Sequence, residues 1–534
     1  MMNQLVRGLA GCISFSQRLG RASGSNRARR RAMALVLVLV VVSMLSLAGY
    51  TFAGLMLAER EAALIHGRGA QARALADSGC ELVRAMLALP EETVREAGGL
   101  YDNPNQFQGV LVVEGETPRD RGRFAVLAPA LRDDLPYGTR FGLEDESTRL
   151  NLNVLTAIDQ AVPDGARQIL MALPGMTEDV ADAILDWIDA DDEPREFGAE
   201  IDYYSGLTPA YAPRNGPLQT VEELLLVRGV TPELLFGPDV NRNWAVEPEE
   251  ESLGPVEVDN SSGALNHGWA AYLTLYSQEA NLRPDGRPKI DVNASDLEQL
   301  HTDLAEVLGD DAATFICAYR IAGPYTSNVP NEAGQQVGGR RLDLTQQPRT
   351  TLQTVLDLIG ARVRIRFEGE NEPSLRDPLF PDDPIRMSVY LPVLMDHLAV
   401  NAAETIPGRI NINQCSAAVL YGIPGMDPAV AEQILNSRDA EPGEDRPNRR
   451  HETWILAEGL VTLEEMKNLI PFLCARGSVY RAQVVGYFEE GGPSTRVEAV
   501  FDATTVPARL VFYRDLSHLG RGFAPEALGI GAAP

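Results

Sequence analysis

The chain has 534 residues, 45% of them hydrophobic and 23% charged, with 47 glycines, 35 prolines and a formal charge of −28. That is enough chain for several domains with real cores. Residues 1–32 hold seven arginines and no acid, so the remainder is seven charges more negative still. This argues against nucleic-acid binding, which wants a basic footprint.

The first long feature is apolar. Ala32 to Ala58 is 27 residues without a charge, longer than a secretory core and long enough to cross a membrane. Arginines precede it, and Glu59 and Glu61 follow. That asymmetry predicts a cytoplasmic N-terminus and a bulk on the far side. Helical spacing continues through Leu64, Ile65, Leu75, Leu82, Val83 and Met86 until Pro90, which predicts one helix from about 33 to 88.

FQGVLVVEGE and GRFAVLAPAL then read as strands, and TRFGLEDESTRLNLN alternates and ends in Asn-x-Asn. Residues 151–240 read as helical around an acidic loop, and 241–289 as a polar connector. A second helical unit covers 290–360, a connector or insertion 361–407, and a third helical unit 408–475. VYRAQVVGYFE, TRVEAVFDA and RLVFYRD give antiparallel strands within 476–515, followed by a tail at 516–534. The fold class is therefore α+β, with 59–150 and 476–515 forming one core around the helical material.

Spellings recur: LNLNVL at 150–155, IDVNAS at 290–295 and ININ at 410–413. ALPGMTEDVADAIL and YGIPGMDPAVAEQIL place Pro174–Gly175 and Pro424–Gly425 in equivalent turns. Pro-Gly punctuates two packed helices there, as in a helix-hairpin-helix. The first hairpin lacks flanking Lys or Arg, so a structural role is read over a DNA-binding one.

DADDEPREFGAEIDYY is the densest local signal. Nine acids and one arginine lie between Asp182 and Asp202. Oxygen ligands from a helix end and a following loop suit calcium, though the spacing here is not that of an EF-hand. A solvated loop and a hydrolytic carboxylate pair are the competing readings. HExxH, Walker A and GxSxG are absent from the sequence. The cysteines, Cys12, Cys80, Cys317, Cys415 and Cys474, form no CxxC and read as buried small hydrophobes.

The basic leader, the run AMALVLVLVV and the long helix resemble a pseudopilin N-terminus. With DWIDADDEPREFGAEIDYY and LQTVEELLLVRGVTPELL, the chain resembles the protein K family of type II secretion. The resemblance implies a pilin-like α/β core with an inserted helical domain and no enzyme activity. It implies removal of a leader, residues 1–32, by a prepilin peptidase between Ala32 and Met33, where most members carry Gly before the cut, and methylation of the new terminus. Leu37 stands where most pilin-like proteins carry Glu at mature position five, as in the protein K branch. Residues 33–58 would be the inner-membrane span, with the bulk periplasmic. Calcium at the acidic loop is implied, with Asp189, Asp191, Glu193, Glu200 and Asp202 as candidate ligands. Implied partners are two other minor pseudopilins in a tip complex, the major pseudopilin and the inner-membrane secretion platform. The rival readings are a membrane-anchored DNA-uptake protein and an anchored hydrolase.

Overall fold

The computed structural model describes residues 26–132, 135–251, 260–326, 333–443 and 446–530. Most of the leader, Cys12, part of the 241–289 connector and the last four residues of the tail lie outside the described residues. The chain divides into two compact units, residues 1–68 and 69–534.

Helix α1 runs Asn26–Leu87, 62 residues, or about 93 Å at the standard rise of about 1.5 Å per residue. In the first unit the side chains from Met33 to Glu61 are all exposed. The stretch from Met33 is long and apolar enough to cross a membrane, with a mean hydropathy of 2.5 in its best window. This is a single-pass anchor by length and composition.

In the second unit, α1 from Gly69 onward lies on a seven-stranded sheet. Its strands are β1 (Val110–Val113), β2 (Gly122–Arg132), β3 (Leu135–Phe141), β4 (Glu144–Asp145), β5 (Val479–Phe488), β6 (Thr495–Asp502) and β7 (Arg509–Asp515). The order is β1-β2-β5-β6-β7, with β3 on β2 and β4 on β5; every pairing is antiparallel. Side chains alternate between faces. Phe124, Val126, Val484 and Val497 meet Ala76, Cys80, Val83 and Met86 of α1. Ala125, Leu127, Val485 and Tyr487 meet Phe523 and Leu528 near the C-terminus. The central strand β5 is thus buried on both faces, as its near-continuous apolar run demands. The α+β class stands, with one N-terminal apolar helix.

Residues 146–478 are inserted between β4 and β5, and Asp145 pins both ends. Its carboxylate accepts from Ser147 N (2.8 Å), Gly477 N (2.6 Å) and Asn411 Nδ2 (2.9 Å). Within the insertion, Gln278–Ala280 pairs antiparallel with Thr405–Pro407. Asn281 ties to the carbonyls of Glu404 and Ala403 at 3.0 and 2.9 Å. Residues 282–402 therefore enter and leave side by side.

The recurring Asn spellings are one local device used three times. Each sits in a two-residue parallel pair: Leu150–Asn151 on Leu273–Thr274, Ile290–Asp291 on Leu398–Ala399, and Ile410–Asn411 on Leu473–Cys474. In each, the first polar side chain accepts from the backbone two residues on, at 2.9–3.0 Å. The next asparagine then clamps a distant segment. Asn153 exchanges bonds with the backbone of Leu218, and Asn293 with Leu352, while Asn413 bonds to Ala475 O and Trp454 Nε1. Leu218 and Leu352 both open the spelling Leu-Gln-Thr-Val.

The turn glycines Gly175 and Gly425 take φ +66 and +79. Each separates a helix pair: Gly165–Met171 from Glu178–Ile188, and Ala417–Gly422 from Pro428–Ser437. The first helices of the two pairs touch, and a Cβ on Gly422 would meet Ala172 Cβ at 2.9 Å.

Residues 361–407, read as a connector or insertion, contain a hairpin (Val363–Ile365 with Ser374–Arg376) and a 14-residue helix, Pro384–His397. Pro392 lies inside that helix, where proline ordinarily argues against one. Asp383 caps its start and Pro384 takes the first turn, where proline fits. The cysteines Cys80, Cys317, Cys415 and Cys474 are buried.

Candidate functional site

The acidic loop begins where a helix runs out of partners. Glu178–Ile188 buries nine consecutive residues, including Asp182 and Asp186, both 0% exposed, and Trp187. Asp189 is its C-cap in extended backbone. The chain then loops back over the helix and leads into the short helix Ile201–Tyr204. Tyr204 stacks edge-on against Trp187 at 5.1 Å, and Tyr211 lies 5.4 Å from Tyr204. The aromatics pack the floor of the loop.

The buried carboxylates are held by the loop's single arginine, by Arg167 and by backbone. Arg195 reaches Asp159 (3.1 Å), Asp186 (3.4 Å) and Asp189 (3.5 Å). Its own N–H donates to Asp186 at 3.2 Å. Asp182 accepts from Phe197 N (3.1 Å) and pairs with Arg167 (2.7 Å). Asn215, at φ +47, donates to Asp191 O (2.8 Å) and Asp192 Oδ1 (2.9 Å).

Charge is nevertheless left over. Glu200 is 3% exposed, and neither of its oxygens has a hydrogen-bond partner among the described residues. Asp189 Oδ1 and Asn215 Oδ1 are buried and unpartnered in the same way. Buried polar atoms are ordinarily satisfied, and four orphaned oxygens with no donor between them are a demand for positive charge. Burial first, and then Asp186, Asp189, Asp192 and Asp191, push the Glu200 carboxyl up to about 7. Burial and Asp191 push Asp189 up to about 6 against the opposing pull of Arg195.

Of the five sequence candidates, the structure brings Asp189, Asp191 and Glu200 together. Glu193 and Asp202 are exposed at the surface, outside the carboxylates that act on Glu200. Asp186, Asp192 and Asn215 join the group instead. Among the described residues, no three Asp, Glu, His or Cys side chains close as a ready-made metal cage. The oxygens present are of the hard type that calcium takes, including an amide carbonyl.

Gly198 is the tight spot of the loop. A Cβ there would overlap Asp186 Oδ2 and sit 2.6 Å from its Cγ. That carboxylate is fully buried and tied to Arg195 N, so it has nowhere to go. Gly198→Ala is expected to cost about 2 kcal/mol by overpacking. Gly206→Ala, whose Cβ would meet nothing closer than 3.4 Å, is expected to stay within about 0.5 kcal/mol of wild type. Denaturant melts of the two variants decide this, and equal midpoints would remove Gly198 from its assigned role.

Residues 148–236, which hold this loop and its supporting hairpin, match the family model for type II secretion system protein K. Over that segment the chain is similar to the protein K family. A type II secretion system protein K of Pseudomonas aeruginosa is 38% identical over 96 residues, 17% of this chain and 29% of that protein. A protein K relative from Escherichia coli K12 is 34% identical over 102 residues, 17% of this chain and 31% of that one. The alignments thus span under a third of either curated relative. A crystal structure of the GspK–GspI–GspJ complex from enterotoxigenic Escherichia coli matches over 86% of this chain and 98% of its own, at 12% identity and a TM-score of 0.35. That likeness is too loose in shape to carry an argument about this chain. The ground shared with protein K is the acidic loop and its hairpin, and the site described above lies wholly inside it.

Proposed function

We propose that this chain is a minor pseudopilin of type II secretion, initiating and capping the pseudopilus that exports folded proteins across the outer membrane. The observation that carries the reading is the pairing of a protein K segment at 148–236 with an N-terminal helix long enough to span a membrane. The helix-on-sheet half of the second unit is a pilin-like core under this reading, with 146–478 as its inserted helical domain, and the Pro-Gly turns at Pro174–Gly175 and Pro424–Gly425 are helix-hairpin-helix-like structural elements within it.

The N-terminal arginines would stay cytoplasmic and the acidic bulk periplasmic. Ala32 and Met33 would flank the prepilin peptidase cut. Leu37, 67% exposed on the helix, offers no carboxylate to a neighbour's terminal amine. A subunit without that grip suits the end of a filament, since a buried Glu in lipid is costly without its partner. Two other minor pseudopilins would complete the tip, with the major pseudopilin and the inner-membrane platform below it. In the acidic loop, Asp189, Glu200 and the Asn215 carbonyl would hold a calcium ion, with Asp191 beside them; the ion would supply the positive charge that Arg195 leaves short.

N-terminal mass spectrometry of the membrane-extracted protein tests the assignment. A chain beginning at methylated Met33 is expected. An intact leader, or a cut near residue 58, would overturn it.

A further inference from the structure

Outside the protein K segment, between the helices Pro232–Phe236 and Pro248–Glu251, runs DVNRNWAVEPEE, residues 239–250. Calcium loops of the EF-hand type draw ligands from the first, third, fifth, seventh, ninth and twelfth positions, the seventh through a carbonyl and the twelfth as a glutamate. Counted from Asp239, those positions are Asp239, Asn241, Asn243, Ala245, Glu247 and Glu250. The sixth position of such loops is glycine, because the chain turns sharply there. Here it is Trp244, and its φ is +62, in the left-handed region that glycine favours. The exiting helix begins two residues before the twelfth position, which sets Glu250 in its first turn.

The side chains already face one another. Asp239 accepts from Asn243 N (3.1 Å) and Trp244 N (3.0 Å). Glu250 accepts from Asn241 N (3.1 Å) and Glu247 N (3.2 Å). Glu247 accepts from Asn241 Nδ2 (2.9 Å) and Asn243 Nδ2 (2.6 Å). Asp239, Asn243 and Glu250 are 4, 7 and 8% exposed. Among the described residues, the donors on both glutamates are amides, with no guanidinium or ammonium among them, and the two glutamate carboxyls also bond directly to each other.

A second observation points to a cation. Asn241 Oδ1 is fully buried and has no hydrogen-bond partner among the described residues, while the Nδ2 of the same amide holds Glu247. A buried carbonyl oxygen at the third position, next to carboxylates, lacks a positive partner. We propose that residues 239–250 form a calcium site, separate from the acidic loop at 186–200 and independent of the pseudopilin reading.

Its place in the fold says what the ion would do. The Arg242 carbonyl accepts from Gln483 Nε2 of β5 (2.9 Å) and from Arg496 of β6. The Trp244 carbonyl accepts from Gly138 N of β3 (2.7 Å). The Trp244 ring lies 5.8 Å from Phe523, and Asn243 donates to Gly522 O at 2.8 Å. The loop bolts the inserted helical region to the sheet and to the C-terminal stretch, and calcium would stiffen that bolt.

The test uses the full chain in detergent micelles, with terbium as a luminescent calcium analogue. The chain has four tryptophans, and Trp244 sits inside the loop, where excitation passes to a bound terbium ion. Wild type is expected to show tryptophan-sensitised emission that calcium displaces. Trp187 lies under the acidic loop and would sensitise an ion held there, so Trp244→Phe is expected to lose only the share of the emission that belongs to residues 239–250, while binding as many calcium ions in equilibrium dialysis. Glu250→Gln is expected to lose that same share and one ion per chain, whereas Glu200→Gln keeps it. Asn241→Asp, which adds a charge to the ligand set, is expected to tighten calcium several-fold. The proposal is overturned if Glu250→Gln keeps the wild-type ion count and emission. A Trp244 share that depends on Glu200 instead, or a calcium affinity unmoved by Asn241→Asp, would overturn it equally.

Discussion

Arg409→Met is expected to cost about 3–5 kcal/mol, the range for stripping one partner from a buried ion pair. Arg409 is 9% exposed and sits just before the third Asn-x-Asn strand. Its guanidinium meets Glu279 at 2.7 Å, the nearly inaccessible Glu452, and the Ile470 carbonyl at 3.0 Å. Three segments far apart in sequence converge on one fork, which only arginine's planar donors can serve. Methionine keeps the stem's packing and leaves Glu452, 2% exposed, as an uncompensated buried charge. The companion Glu452→Gln should therefore recover much of the loss in the double variant, giving a favourable coupling in a double-mutant cycle. Urea melts of the four proteins measure it. Additive losses would mean that the fork is solvated in solution and holds nothing together.

The same architecture explains what can be read from the sequence. β5, β6 and β7 announce themselves, because VYRAQVVGYF, TRVEAVFD and RLVFYRD are rich in β-branched and aromatic residues and separated by Gly and Pro. The helix through the membrane and onward to Leu87 is legible for the same reason: its period persists. The Asn-x-Asn spellings are visible as repetition, but not their task. Asn153, Asn293 and Asn413 act on residues tens of positions away, and no local pattern gives the partner. Leu-Gln-Thr-Val, repeated at 218 and 352, is the one hint of it. Pro392 hides the helix Pro384–His397, a local rule that tertiary packing outweighs here, since Met387, Leu391, Leu394 and Met395 are buried. In the acidic loop, charge density marks the place and nothing in it ranks the members. Glu193 and Glu200 look alike in sequence; only the fold exposes one and buries the other. The loop at 239–250 reads as a connector because tryptophan stands at the position where a glycine would advertise the motif.

Raising the pH is expected to destabilise the chelated protein, with the acidic loop as the cause. Glu200 lies at about 7 and Asp189 at about 6 in the fold, against ordinary values of 4.5 and 3.8. Between those limits the folded chain holds protons that the unfolded chain has released. Stability then falls as pH rises, because the slope follows the protons bound by the unfolded state minus those bound by the folded state. The contribution is largest near pH 4 and is lost by about pH 7. Each tenfold gain in proton affinity on folding is worth ~1.4 kcal/mol, so the two carboxyls together contribute a few kcal/mol. A calcium ion held as proposed would reverse the sign: it would bind the ionised carboxylates, which only the folded loop presents together, and its stabilisation would grow as the same protons leave. Melting the full chain in micelles at pH 5 and pH 7.5, with chelator and with excess calcium, separates the two. The chelated protein should melt lower at pH 7.5 than at pH 5, and calcium should close or invert that gap. In Glu200→Gln the chelated protein should lose most of its pH dependence, because the amide has no proton to give up. If Glu200→Gln leaves the chelated pH profile unchanged, the charge in this loop is already balanced by Arg195, and the calcium reading of the acidic loop falls with it.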